Sequence, residues 1–376
     1  MGYAVQALTI NFAPLLFIIF KNTYNISYAL IGVLAAMNFI TQMVVDIISV
    51  FFLDRVGYRK SVVMSQLFCA AGLILLPILP NIMPPYIGIC IATIMYSIGA
   101  GLIEVGINPI ISGIPEEYGK NIMLTHSFYS IGHLLTVLVT TAVIKIFTAN
   151  SWIVIAPLWA IIPLTNGLFF LKVPINEPDI AKKRESIFPL LKNKTFLIIL
   201  LMMMCAGASE LTMSQWISAF AQNALGVDKF TGDLLGPCFF AFFMGAGRLS
   251  YAFFKKKINY TVFTQISCAL CALCYLSAAI SPNAIVALIS CALCGFCVST
   301  LWPGTVEAAD EKFPKGSGAM YSAIAICGDI GGSVAPFITG LVASMSVLGD
   351  NAFKTGLGLN MVYPLILVVL VKALKK

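Results

Sequence analysis

Seven ionisable side chains fall inside long apolar stretches of this 376-residue chain: Asp46, Glu104, His126, His133, Glu210, Arg248 and Asp329. Charged residues make up only 10% of the sequence and hydrophobic ones 59%, so each of these groups sits where its surroundings disfavour it. In hydrocarbon such a group is costly, and it is kept where it is paired, reactive or both. Low dielectric favours the neutral acid, so a buried carboxyl can take up a proton on one side of a barrier and release it on the other.

Glu104 is the leading candidate for that chemistry. It lies about 18 residues, or about 27 Å, into its stretch, with Asn108 one turn on and the helix-distorting Pro109 next to it. A proton carrier beside an amide that binds a hydroxyl would make protonation depend on substrate; the alternative is a Glu paired with a distant Arg or Lys. Glu210 comes about 15 residues into its stretch and is followed by Gln215 and Trp216. Acid, amide and aromatic plane together suit a polar ring, and a polar pair between helices would explain Glu210 equally well. Asp329 lies in Gly328-Asp329-Ile330-Gly331-Gly332. It reads as a second proton site, as the partner of a polar group on the second stretch, or as part of a packing surface.

Asp46 and Arg248 lie nearer the ends of their stretches and suit ion pairs that close a gate. His126 and His133 are seven apart and share a face. They could relay protons, but interhelical hydrogen bonds are the simpler expectation. Trp152, Trp159, Tyr86 and Tyr363, near the ends of stretches, suit an interfacial aromatic belt.

The elements that must position these groups are membrane helices. Mean hydropathy is +0.94, and stretches of bilayer-spanning length recur throughout. In lipid the backbone must satisfy itself, which favours helices, and the stretches lack the alternation of a barrel strand. Twelve spans are expected: 3–20, 27–52, 61–79, 86–114, 122–147, 151–173, 195–224, 230–254, 259–280, 283–307, 317–345 and 352–373. The expected fold class is an all-α membrane protein with a six-helix bundle over 1–173, a charged cytoplasmic linker over 174–194 and a second six-helix bundle over 195–376.

The net charge of +7 invites a nucleic-acid reading that the positions of the charges exclude. Of the 23 Lys and Arg, all but Lys21, Lys145, Lys229, Lys354 and Arg248 fall on one side of the twelve-span topology. That asymmetry marks the cytoplasmic side, places both termini there and brings those charges against anionic lipid. The first span has no basic leader or cleavage site before it, so it is expected to remain as a helix of an integral plasma (inner) membrane protein. Two CxxCxxC runs, Cys268-Cys271-Cys274 and Cys291-Cys294-Cys297, put each trio on one stripe of an apolar helix. Helix packing accounts for them better than a metal does.

The halves echo each other. Asp46–Tyr58 parallels Arg248–Tyr260, Gly101–Pro109 parallels Gly295–Pro303, and aligning Gly132 with Gly328 sets His133 opposite Asp329. Repeated halves with a site at their interface are a transporter architecture.

The segment Asp54-Arg55-Val56-Gly57-Tyr58-Arg59-Lys60, of pattern D-R-x-G-x-R-K, resembles the loop between helices 2 and 3 of the major facilitator superfamily, with Val50 where the family usually has Gly. The resemblance implies a gate-holding role for Asp54, Arg55 and Arg59. Glu104-x-x-x-Asn108-Pro109, Pro115-Glu116-Glu117, His126-Ser127-Phe128, Gly207-Ala208-Ser209-Glu210 with Trp216, and Trp302-Pro303 are similar to the fucose–galactose–glucose proton symporter branch. It implies that Glu104 couples protons and Asn108 contacts substrate. Fucose permease carries an acid in its first helix, whereas the first span here offers Gln6, Thr9, Asn11 and Pro14.

The expectation is a secondary active transporter whose cavity is lined by spans 1, 4, 7 and 10 and which takes up a small polar solute, such as a sugar, with protons. Glu104 and Asp329 would couple protons. Asn11, Asn108, Glu210, Gln215, Trp216 and Trp302 would bind substrate, while Asp46, Asp54, Arg55, Arg59 and Arg248 would gate. An exporter of amphiphilic compounds is the alternative. Protons, substrate and membrane lipids are the expected partners of a functional monomer, with no cofactor, metal or nucleic acid. No Walker lysine, HExxH or GxSxG motif points to an enzyme.

Overall fold

Short polar side chains at the turns start the helices. Ser27, Asn193, Asn259 and Asn283 each accept from a backbone N–H of the first helical turn that follows, satisfying donors that have no partner inside the helix. The computed structural model describes residues 1–112, 122–173, 175, 188–254, 259–313 and 318–374. Within these, the side chains of 50–52, 54, 55, 108, 109, 112, 122, 188, 260, 318, 319 and 350 are not described. Every regular element among the described residues is helical.

In the first half the helices are α1 (Gly2–Phe12), α2 (Phe17–Tyr24), α3 (Tyr28–Val56), α4 (Tyr58–Leu75), α5 (Leu79–Ile82), α6 (Pro85–Ser112), α7 (Ile122–Ile146), α8 (Trp152–Trp159) and α9 (Ile161–Lys172). The short α10 (Phe188–Leu191) precedes the second half. There follow α11 (Lys194–Asn223), α12 (Lys229–Asp233), α13 (Phe239–Phe254), α14 (Tyr260–Ile280), α15 (Ala284–Val298), α16 (Leu301–Lys312), α17 (Gly318–Ala343), α18 (Ala352–Gly358) and α19 (Val362–Leu374). The expected linker, 174–194, lies largely outside the described residues.

Eleven helical segments among the described residues are long and apolar enough to cross a membrane. The expected third span is α4, whose 18 residues include Arg59, Lys60 and Gln66 and so dilute its hydropathy. It enters from α3 through Gly57 at φ 85°, a left-handed turn that a side chain would strain.

Prolines divide several crossings. Pro14 sits in a 3₁₀ turn between α1 and α2, and the crossing of α15 and α16 breaks just before Trp302-Pro303. A proline removes the N–H that the carbonyl four residues earlier would have accepted. Neighbouring helices can take up such freed carbonyls, and here Gln215 of α11 and Arg248 of α13 do so.

The halves meet along two seams, α3 against α17 and α7 against α13, which exchange under the internal repeat. Close approach along α17 depends on glycine: a Cβ at Gly331 would overlap the Met204 carbonyl of α11, and one at Gly328 would overlap the Trp302 ring. The cysteine stripes of α14 and α15 face each other as free thiols, with Cys271 Sγ 3.6 Å from Cys294 Sγ. The aromatic-belt expectation fails for Trp152 and Trp159. Trp152 is buried edge-on against Phe20, and Trp159 donates from Nε1 to Thr140 Oγ1 at 3.1 Å.

Candidate functional site

The two halves enclose a cavity between α1, α3, α6, α7, α11, α13, α16 and α17. Its lining includes Tyr3, Gln6, Gln42, Glu104, His126, Tyr129, Glu210, Arg248, Trp302 and Asp329. Its volume is about 40 Å³, room for water rather than a bulky guest, so the walls stand close together in this conformation.

Arg248 anchors one wall. Its Nη2 donates to both carboxylate oxygens of Glu210, at 3.1 and 3.2 Å. Nη1 donates to the His126 carbonyl at 3.0 Å and to Ser130 Oγ at 3.2 Å, across to the first half. Nε donates to the Ser299 carbonyl at 3.0 Å, the carbonyl left without its usual N–H by Pro303. The guanidinium also lies 5.5 Å from the Tyr129 ring centre, within cation–π range. The sequence placed Arg248 near the end of its span as a gate residue; the structure places it on the cavity.

Glu104 stands on the other wall, 6% exposed. Gln6 Nε2 donates to its carboxylate at 2.9 Å. Among the described residues no Lys or Arg forms an ion pair with it. An amide in the first crossing therefore meets the acid of α6. Glu104 also lies within electrostatic range of Asp46 and Glu210.

Asp46 departs from expectation. Instead of an ion pair, its charged neighbours are Asp329 and Glu104, and neither of its carboxylate oxygens has a hydrogen-bond partner. Spacing along α3 set its depth correctly as buried, but not which face of α17 would oppose it. One ring nitrogen of each histidine, His126 Nε2 and His133 Nδ1, has no hydrogen-bond partner. Their rings pack on Tyr3 at 4.5 Å and on Phe240 at 6.0 Å.

Three sequence candidates lie outside the cavity, toward the far ends of α1 and α11 from Met1. Asn11 accepts from Ser214 Oγ at 2.7 Å and donates to Tyr129 Oη at 3.1 Å. Gln215 Nε2 donates to the Ile10 carbonyl at 3.3 Å, which Pro14 leaves unpaired. Trp216 donates to the Pro336 carbonyl at 2.9 Å, with its ring among Phe17, Tyr28 and Phe353. Lys229 Nζ reaches the Leu15 carbonyl at 2.7 Å, and Thr141 donates to Asp233 at 3.1 Å. The side-chain hydrogen bonds described between the halves thus lie at Arg248 or at this far end, where they close the face opposite Met1.

Trp302 lines the cavity as placed by sequence. Arg59 donates to the Phe170 carbonyl at 2.6 Å, at the end of α9 within its own half. The side chains of Asn108, Asp54 and Arg55 lie outside the described residues. Sequence reasoning did not single out Tyr3, Gln42 or Tyr129 as cavity residues. Only Tyr129 left a trace, falling on the same stripe as His126 and His133.

The sequence profile of the Major Facilitator Superfamily matches residues 1–336. Among solved structures, a D-xylose–proton symporter superposes with a TM-score of 0.79 at 15% identity, covering 100% of this chain and 94% of that one. The nucleoside transporter NupG gives 0.73 at 15% identity, with 100% and 98% covered. The fucose:proton symporter FucP of E. coli gives 0.71 at 14% identity, with 100% and 97% covered. At such identities the likeness establishes the fold. No curated protein sequence matches the chain.

Proposed function

The chain belongs to the major facilitator superfamily, and from that membership we propose a secondary active transporter that couples uptake of a small polar solute, such as a sugar, to protons. The observation that carries this reading is the Glu104 carboxyl. It is buried between the halves and bonded to the amide of Gln6, on a cavity that also presents Trp302 and the phenols of Tyr3 and Tyr129. An acid without a fixed counter-ion can change its proton occupancy, and amides, phenols and an indole plane suit a hydroxylated ring. The structural neighbours named above carry xylose, fucose and nucleosides, which fits the same ligand chemistry.

Glu104 then carries the proton, with Asp329 as a second group. Asn108, Glu210 and Trp302 contact the solute. Asn11, Gln215 and Trp216 join the binding surface when the far face opens, since in the closed form their polar atoms are occupied by the opposite half or by α17. Asp46, Asp54, Arg55, Arg59 and Arg248 serve the gates. The protein works as a monomer in the plasma membrane with both termini in the cytoplasm.

A thermal-shift screen of sugars, nucleosides and organic acids identifies the solute, because a bound ligand stabilises the folded form. Uptake of that solute into proteoliposomes under an imposed pH gradient then tests the coupling. Glu104→Gln is expected to abolish gradient-driven accumulation while exchange persists. Accumulation at the wild-type level in Glu104→Gln would refute the assignment, and efflux instead of uptake under the same gradient would make the protein an exporter.

A further inference from the structure

Four carboxyl groups converge on the centre of the protein, Asp46, Glu104, Glu210 and Asp329, and one guanidinium serves them. Arg248 is committed to Glu210, and Glu104 has the amide of Gln6. That leaves Asp46 on α3 and Asp329 on α17, helices that pack together, each 1% exposed and within electrostatic range of the other. Both oxygens of Asp46 and Oδ2 of Asp329 are unpartnered. One turn along α3, Gln42 lines the cavity, is 1% exposed and has its Oε1 unpartnered as well. All four orphaned atoms are acceptors, so what the site lacks is a donor.

Two ionised carboxylates cannot remain together at 1% exposure without a positive charge between them. Among the described residues no three His, Cys, Asp or Glu side chains are placed so that they could hold a metal ion together. We propose that Asp46 and Asp329 form a proton-sharing acid pair, separate from Glu104, whose proton holds the α3–α17 seam closed.

The donor is then a hydronium ion from the cavity: one Asp gains an O–H, water is released, and the O–H donates to the other carboxylate or to Gln42 Oε1. Glu104 from α6 is within electrostatic range of both acids, and the cavity that Asp329 lines also holds Glu210 from α11, Arg248 from α13 and His126 from α7, with His133 further along α7. Arg248 is already held by Glu210. Because one aspartate comes from each half, loss of the shared proton puts like charges on opposite sides of the seam. This rests on the proposed proton coupling and deepens it: Asp329, its second group, shares its proton with Asp46.

The test is thermal unfolding of the purified full chain between pH 5 and 9 in a sodium-free buffer, with infrared difference spectra of the protonated-carboxyl C=O band. A proton bound more tightly in the folded form makes stability fall as pH rises. The wild type is expected to lose on the order of 5 °C in melting temperature at the alkaline end, together with part of the carboxyl band. Asp46→Asn and Asp329→Asn, where an amide replaces one acid, are each expected to remove most of that loss. Glu104→Gln is expected to remove only its own share and leave the larger part, so failure of the pair and failure of the Glu104 reading give different results. Full wild-type pH dependence in both Asn variants overturns the proposal. So does a wild type without alkaline loss, which requires no variant to fold, and so does recovery at pH 9 on adding sodium chloride, which would put a metal cation between the acids.

Discussion

The Nε of Arg248 donates to the carbonyl of Ser299, a carbonyl that Pro303 leaves without a helical partner. Arg248 is thereby both a plug for a broken helix and the counter-ion of Glu210. Its remaining donors cross to α7, so one side chain ties the break in the α15–α16 crossing, the acid of α11 and the opposite half of the protein together. A planar guanidinium can serve several fixed acceptors at once; a lysine ammonium cannot match that geometry.

Removing the cation alone leaves a buried carboxylate and a buried carbonyl without partners. Arg248→Met is expected to cost on the order of 3–5 kcal/mol, read as a lower melting temperature in the same detergent. The double variant Arg248→Met/Glu210→Met should recover a large part of that loss, because no charge remains to be compensated. Additive losses in the double-mutant cycle would show that the two groups do not act as a pair.

A second proline-freed carbonyl gives a rescue experiment. Gln215 of α11 donates to the Ile10 carbonyl in the first half, which Pro14 cannot serve. Gln215→Leu leaves that carbonyl buried and unpaired, at a cost of about 1–3 kcal/mol to the form closed at the far end. Pro14→Ala restores the missing N–H within the helix. The double variant is therefore expected to bind and unfold more like the wild type than Gln215→Leu does. Equal defects in the single and double variants would separate Gln215 from the proline.

These two bonds also mark how far the sequence could be read. The fold was legible because apolar length, charge asymmetry and the pattern of Asp54–Lys60 are local properties. Glu104, Glu210, Trp302 and Asp329 were legible as cavity residues because a polar group in an apolar helix must turn inward. Partners were not legible. Pro14 and Pro303 announce that carbonyls are free, but only packing shows that Gln215 and Arg248 fill them. Asp46 suited an ion pair at a gate, and Asp329 a second proton site, a polar partner on the second span or a packing surface; only the packing of α3 on α17 brings the two within electrostatic range of each other. Arg248 forms an ion pair as expected, with Glu210, but its position along α13 gives only depth, and packing shows that the long side chain carries the charge to the cavity.

Glycine on α17 separates stability from binding. At Gly331 a Cβ would overlap a backbone carbonyl, Met204 of α11, which has no rotamer to move. Gly331→Ala is expected to destabilise by about 1–3 kcal/mol through that overlap. At Gly328 the Cβ would overlap the far edge of the Trp302 ring, which can swing toward the cavity. Gly328→Ala should therefore unfold at a temperature closer to the wild type but bind its solute more weakly. Identical melting temperatures for the two variants would contradict this difference.

Closure at the far end depends in part on a bond that can be removed without disturbing either half. Thr141 of α7 donates to Asp233, which also accepts from Ser218 and, at 2.6 Å, from Lys229. Lys229 reaches on to the Leu15 carbonyl, so Asp233 is the centre of a network spanning both halves. Thr141→Val keeps the shape and deletes only the bond across the gap, while Ser218 and Lys229 continue to satisfy Asp233 within its own half. A hydrogen bond of about 1 kcal/mol corresponds to a shift of about five-fold between closed and open forms. The expected readout is a faster reaction of a cysteine introduced at Asn11 with a membrane-impermeant thiol reagent, at an unchanged melting temperature. Unchanged labelling would mean that the far face is held by Lys229 and the Trp216 aromatic cluster, with Thr141 contributing nothing to the gate.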